Sequence, residues 1–186
     1  AVFVEDDYFF GNPRRVEKIC DLLIERGLDV LIQVPCRVDY LHRQNDAMVD
    51  KLYRAGFKEL WVSPESGSPE RLKEILKRTT LEQVRKVNRL LSRSDVYVKY
   101  GFMAGFPNEE RKETLETVDF MFELLSTNPR AGTAPVAIYT PYPGTTLYDK
   151  TRLVYGMEFP DTLEGWSRFH FGENNNPFLS PSQKKF

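Results

Sequence analysis

The hydrophobic positions of this chain fall into two alternating kinds of run. Short apolar stretches at residues 2–5, 30–34, 58–63, 95–103 and 134–139 read as strands, several of them bounded by Gly, Pro or Asp. Between them lie longer segments whose apolar residues recur every three or four positions, the period of a helix with one buried face. Val16, Ile19, Cys20, Leu23 and Ile24 share such a face behind an Asn12-Pro13 start and before a Gly27 stop. Met48, Val49, Leu52 and Tyr53 line a second helix that closes at Gly56, and Thr80-Leu81-Glu82-Gln83 is a capping box for another. Ser68-Pro69 opens a short helix. Residues 109–126 predict a long one with Leu115, Val118, Phe122 and Leu125 on its apolar face, and 145–153 a short last one.

Strands that alternate with helices imply a parallel sheet with right-handed crossovers, so the C-terminal ends of all strands share one rim. An eight-fold barrel uses roughly 30 residues per unit, more in total than this chain supplies. The expected fold is therefore α/β, a partial TIM-type (β/α) barrel over residues 1–155 with about five parallel strands. A doubly wound open sheet is the competitor, but no GxGxxG turn follows a strand. Beyond residue 155 the periodicity dissolves into Phe159-Pro160, Trp166, Phe169, Phe171 and a breaker-rich run at 172–177. Residues 156–186 read as a C-terminal extension with a short helix near 162–167, its aromatics covering the barrel's flank.

Composition narrows this picture in a few places. At 186 residues and 41% hydrophobic, the chain can bury one sizeable core. Its 26 basic and 27 acidic side chains give a net charge of −1, so no basic field points to nucleic acid or an anionic membrane surface. Cys20 and Cys36 are too few and too far apart for a disulfide framework or a metal knuckle, and no long apolar run signals a membrane span, so a cytoplasmic protein is expected. The chain opens directly on an apolar strand without an initiator Met and reads as cut from a longer one. Val2 to Glu5 should then border a gap, an uncapped edge that invites dimerisation.

The rim gathers the candidate chemistry. The first strand ends in Glu5-Asp6-Asp7, the second in Pro35-Cys36-Arg37, the third in Pro64-Glu65-Ser66-Gly67. The fourth runs through Gly101-Phe102-Met103-Ala104-Gly105-Phe106-Pro107 and the fifth through Tyr139 into Thr140-Pro141-Tyr142-Pro143-Gly144-Thr145. Carboxylates, one guanidinium, open backbone and a thioether suit a zwitterionic ligand that carries a sugar and a flat ring. Each has an ordinary reading too. Asp6-Asp7 could form a turn, Arg37 pair with Asp39, Glu65 sit solvated in its turn, and Met103 fill the core. Cys20, Cys36, His42 and His170 lack neighbouring ligand patterns and read as structural. A barrel hydrolase using Asp7 and Glu65 as an acid/base pair, or a non-catalytic ligand-binding module, is open on residue types alone.

The ordered set Phe3-Val4-Glu5-Asp6-Asp7, Cys36-Arg37-Val38-Asp39, Ala55-Gly56-Phe57, Glu65-Ser66-Gly67-Ser68 with Leu72-Lys73, Gly101 to Pro107 and Pro141-Tyr142-Pro143-Gly144-Thr145 resembles the radical S-adenosylmethionine (SAM) enzymes. The resemblance covers about residues 1–155 and is strongest to the branch that often carries a cobalamin-binding domain, which makes cobalamin a further cofactor to test. It implies about five strands of a six-strand core, with SAM and a [4Fe-4S] cluster as cofactors. The family's CxxxCxxC cluster loop is absent here, so the resemblance places the first strand, cluster loop and first helix upstream, and expects the isolated fragment to be inactive. It further implies that Asp6 or Asp7 meets the methionine amino group of SAM, Arg37 its carboxylate and Glu65 the ribose hydroxyls. Met103 would lie on the adenine side, with Tyr139, Pro141 and Tyr142 completing that wall.

Overall fold

The computed structural model describes residues 1–6 and 8–168. Asp7, His170, Phe169, Phe171 and the rest of the tail lie outside the described residues. Six strands form one sheet: β1 (Val2–Phe3), β2 (Ile32–Pro35), β3 (Phe57–Glu65), β4 (Tyr97–Ala104), β5 (Ala131–Thr133) and β6 (Ala137–Ile138). The order is β1-β2-β3-β4-β5, with β6 also pairing β4, and each pairing is parallel. Strands that follow one another without a reversal of order walk around an axis, as in a barrel wall. A doubly wound sheet would reverse at a switch point. The fold is the expected α/β partial barrel.

The crossovers are α1 (Pro13–Glu25), α2 (Val38–Leu41), α3 (Asp46–Arg54), α4 (Pro69–Glu74), α5 (Leu81–Leu91) and α6 (Arg111–Thr127), followed by α7 (Thr146–Tyr155) and α8 (Leu163–Ser167). Their starts obey the local chemistry. Asn12 caps α1 by accepting from Arg15 N, Ser68 caps α4 through Arg71 N, and Thr80 and Gln83 close a reciprocal box on α5. After α3 the chain turns at Gly56 with φ 100°, and a Cβ there would lie 2.5 Å from the Val30 carbonyl oxygen. Only glycine meets both demands.

Strand alternation divides the sheet into two faces. Val34, Leu60, Val62, Val98, Tyr100 and Phe102 are buried under the helices, against Val16, Cys20, Val49, Leu52, Val87, Leu91 and Phe120. Gln33, Glu59, Trp61, Ser63, Lys99 and Met103, at the alternate positions, are half-buried or exposed. Within the helical layer, Asn88 joins three elements. It accepts from the Tyr100 hydroxyl at 3.0 Å and donates to Leu124 O and Thr127 Oγ1, both at 2.9 Å, while Asn128 donates to it at 3.1 Å.

Three expectations change. Of the strand expected at 134–139 only β6 forms, and a separate β5 pairs just before that range; Pro135, between them, has no N–H to give a continuous ladder. The first strand is only two residues long. The helix over 109–126 forms as α6, but Leu115, Val118 and Phe122 are exposed, and Thr117, Phe120 and Leu124 face the core. The reason is Gly67, whose backbone packs so closely on α6 that a Cβ would lie 2.5 Å from Glu116 O and 2.7 Å from Thr117 Cα. A slim polar residue suits that contact better than a large apolar one. In the extension, the ring of Phe159 packs on Tyr148 at 4.5 Å and Trp166 lies 6.1 Å from Tyr142.

Candidate functional site

Glu65 ends β3 with φ 75°, a left-handed backbone that costs a residue with a side chain about 1–2 kcal/mol. The loop that follows holds it there. Ser66 and Ser68 are buried, Gly67 N donates to Thr117 Oγ1 at 3.0 Å, Ser66 Oγ bonds the same oxygen at 3.1 Å, and Ser68 N donates to Ser66 Oγ at 3.0 Å. Strain of this kind persists where surrounding contacts over-determine it, and it clusters at functional sites. The Glu65 carboxylate receives Lys77 Nζ at 2.8 Å. Lys77 follows Leu76, itself left-handed at φ 54°, so the end of α4 turns the ammonium back over the rim.

Arg37 opens α2. Its Nε donates to Asp39 Oδ1 at 3.0 Å and its Nη2 to Asp39 Oδ2 at 3.3 Å, while the guanidinium lies 5.4 Å from the Tyr8 ring. Partial burial disfavours the charge of Asp39, but the Arg37 fork outweighs it and holds the carboxyl below the usual carboxylate range. The Arg37 side chain is 59% exposed, so the pair leaves it open to a competing carboxylate. Asp6 accepts from Tyr8 N at 2.8 Å and lies 3.4 Å from Arg15 Nη2, a turn-forming arrangement. The ordinary readings of Asp6 and Arg37 are thus present as contacts.

Between these groups lies a cleft of about 130 Å³ lined by Tyr8, Phe9, Phe10, Pro35, Cys36, Arg37, Val38, Trp61, Ser63, Lys77 and Thr79. It sits where the ends of β2 and β3 meet. The structure brings Arg37 to it directly and Glu65 through Lys77. Met103 and Tyr139 belong to a second group, an apolar cluster with Phe106 and Leu147 in which Phe106 stacks on Tyr139 at 5.0 Å. Pro141 is buried. Sequence reasoning missed Thr117, Lys77 and Tyr8. A threonine on the core-facing side of α6 was the available signal for the first; nothing local pointed to the other two.

The fourth strand's loop has its own polar clamp. Glu109 accepts from Gly105 N and Phe106 N, and its burial pushes the carboxyl above the usual range despite those bonds. Arg71 is buried beside it and donates to Glu74, to Pro107 O at 3.3 Å and to Glu113 at 2.9 Å, tying α4, this loop and α6 together. As for metal chemistry, no group of three His, Cys, Asp or Glu that could hold an ion occurs among the described residues. Burial pushes the Cys20 thiol up to about 11 and the Cys36 thiol well above its ordinary value, so neither is poised as a thiolate.

A sequence profile of the radical SAM superfamily matches residues 2–121, which is the wall carrying Arg37, Glu65 and Met103. The chain belongs to the radical SAM superfamily. An uncharacterized methyltransferase of Pyrococcus horikoshii is 28% identical over 144 residues, 77% of this chain and 30% of that protein. An anaerobic magnesium-protoporphyrin IX monomethyl ester cyclase of Cereibacter sphaeroides is also 28% identical over 144 residues, 76% of this chain and 22% of that protein. This radical SAM chain therefore spans less than a third of the length of either. Among solved structures, the radical SAM methyltransferase TsrM of Kitasatospora setae, determined with cobalamin and a [4Fe-4S] cluster bound, superposes with a TM-score of 0.63 at 16% identity, over 80% of this chain and 29% of that one. That likeness establishes the shared fold. The radical SAM family uses SAM and a [4Fe-4S] cluster. No donor set for the cluster occurs among the described residues. The cleft offers the Arg37 guanidinium, the Lys77 ammonium and aromatic rings, and the Glu65 carboxylate reaches it only through Lys77.

Proposed function

We propose that the protein carrying this segment is a radical SAM enzyme and that this segment supplies most of its SAM contacts. A reduced cluster, donating one electron to bound SAM, would supply the radical chemistry. The chain's own part is to bind and orient. Arg37 would clamp the methionine carboxylate with its planar fork, shared with or taken from Asp39. Asp6 or Asp7 would accept from the ammonium. Glu65 would accept from the ribose hydroxyls after giving up Lys77, with Met103, Tyr139 and Pro141 toward the adenine.

The observation that carries this reading is the strained, loop-pinned Glu65 at the end of β3, on the rim that also holds Arg37. The relatives' names support both methyl transfer and cyclisation, and the TsrM structure supports cobalamin as an added cofactor. We favour no subtype. The open edge of β1, with Val2 50% and Phe3 45% exposed, supports pairing of two copies there. A cytoplasmic setting suits a reductive reaction and two free thiols. No helix among the described residues is long and apolar enough to cross a membrane.

The test uses the full-length protein, reconstituted anaerobically with iron and sulfide. It should show [4Fe-4S] absorbance and cleave SAM reductively. Glu65→Ala should weaken SAM binding about tenfold or more, the scale of a lost charged hydrogen bond, and leave cluster content unchanged. Unchanged SAM binding in that variant would remove Glu65 from the site, and a full-length protein that assembles no cluster would overturn the assignment of activity.

A further inference from the structure

Lys99 is the third residue of β4, on the sheet face turned away from the helices, with its Nζ 4.5 Å from the centre of the Trp61 ring. Among the described residues its ammonium forms no ion pair or side-chain hydrogen bond. The other cations near the cleft are spoken for, since Arg37 pairs with Asp39 and Lys77 with Glu65. The acid on this face of the neighbouring strand, Glu59, is also engaged. One of its oxygens accepts from Trp61 Nε1 and the other from Gln33 Nε2 at 3.3 Å. Glu59 therefore fixes the indole and makes no ion pair with Lys99. A half-buried ammonium held only by a ring face keeps nearly all its capacity for an anion, because a cation–π contact is weak beside a charge-assisted hydrogen bond.

Trp61 gives this ammonium a platform. Phe3 meets the ring edge-on at 5.6 Å, β-sheet pairing sets Trp61 opposite Lys99, and Trp61 also lines the cleft. We propose that Lys99 and Trp61 form a subsite for an organic carboxylate, the ammonium taking the carboxylate and the indole taking a flat or apolar body. Calling that molecule the substrate rests on the radical SAM reading above, since the subsite adjoins the cleft given there to SAM. Anion binding itself does not rest on it.

The experiment labels the lysines of the full-length protein with ¹³C-methyl groups, which preserve the charge, and assigns the Lys99 signal by its loss in Lys99→Arg. Benzoate and its neutral isostere benzamide are the probes. The Lys99 signal should shift saturably with benzoate, at least tenfold more tightly than with benzamide, and Trp61→Phe should weaken benzoate severalfold. Lys99→Met should abolish benzoate binding and leave SAM affinity within twofold. Equal responses to the two probes, or no response at Lys99, would overturn the subsite. So would a tenfold loss of SAM affinity in Lys99→Met, which would make Lys99 a SAM contact. A protein that binds benzoate at Lys99 but does not bind SAM would sink the SAM reading and leave the anion site standing.

Discussion

The two halves of the rim are built by different means. On the β3–β4 side, the loop bearing Glu65 is fixed by buried serines, a threonine reaching over from α6 and a glycine packed against helix backbone. On the β1–β2 side, Asp6 and Arg37 are held by partly exposed pairs, and the strand leading to Asp6 is two residues long with an open edge. Exposed pairs contribute only about 0–1 kcal/mol, and buried polar contacts that lose a partner cost about 1–3 kcal/mol. The first half is thus pre-organised by this chain's own packing. The second is positioned loosely and is free to adjust to a ligand.

The comparison breaks most readily at Gly67. Adding a Cβ there drives it into Glu116 O, Thr117 Cα and Phe120 Cβ, none of which can swing away as the tip of a flexible side chain would. Gly67→Ala should cost about 2–3 kcal/mol in urea denaturation of the full-length protein and weaken SAM binding along with it, the upper range for overpacking. A near-neutral effect on both would show that the loop is not held by α6. Thr117→Val keeps the shape but removes the acceptor for Gly67 N and the partner of Ser66. It should cost about 1–2 kcal/mol.

Much of this was legible from the sequence, and the misses have physical causes. The caps at Asn12, Ser68 and Thr80 and the stop at Gly56 are local, so residue type and spacing were enough to find them. The rim residues could be placed because parallel crossovers put every strand's C-terminal end on one side. The α6 face could not, since the helix carries apolar residues on both sides and the choice is made by Gly67, some fifty positions earlier. Lys77 was illegible for the same reason. Its partner Glu65 is reached only through a left-handed Leu76 that no propensity favours. Met103 lies on β4 and Tyr139 directly after β6, yet both pack with Phe106 and Leu147 and do not line the cleft beside Arg37.

A pH profile sharpens the comparison at lower cost in stability. Burial raises the folded-state pKa of Glu109 above its unfolded value. A raised carboxyl binds more protons folded than unfolded, so its contribution is fully present below the unfolded pKa and is lost as pH rises through the folded pKa. Asp39 has the opposite sign. Its folded pKa is lowered, so its contribution is present above the unfolded value and lost as pH falls through the folded one. The stability difference between wild type and Glu109→Gln should therefore shrink or reverse as pH rises from about 4 to 7, and that between wild type and Asp39→Asn should shrink as pH falls below about 4. Identical profiles for the two variants would erase the electrostatic distinction between the halves.

The smallest stability effect, and the most telling one for function, belongs to Arg37. With its side chain 59% exposed and a surface partner 30% exposed, Arg37→Ala should change stability by no more than about 1 kcal/mol. If the guanidinium clamps the SAM carboxylate, the same change should weaken SAM binding about tenfold or more, since a bidentate charged contact is lost. Arg37→Lys should recover little, because a point charge cannot supply the planar fork. Asp39→Asn should leave binding equal or tighter, because it releases the guanidinium from its present partner. That pattern, large in binding and small in folding, is the opposite of the one expected at Gly67. A protein in which Arg37→Ala and Gly67→Ala lose stability and SAM affinity in the same proportion would have one kind of rim, and the adjustable half would have to be given up.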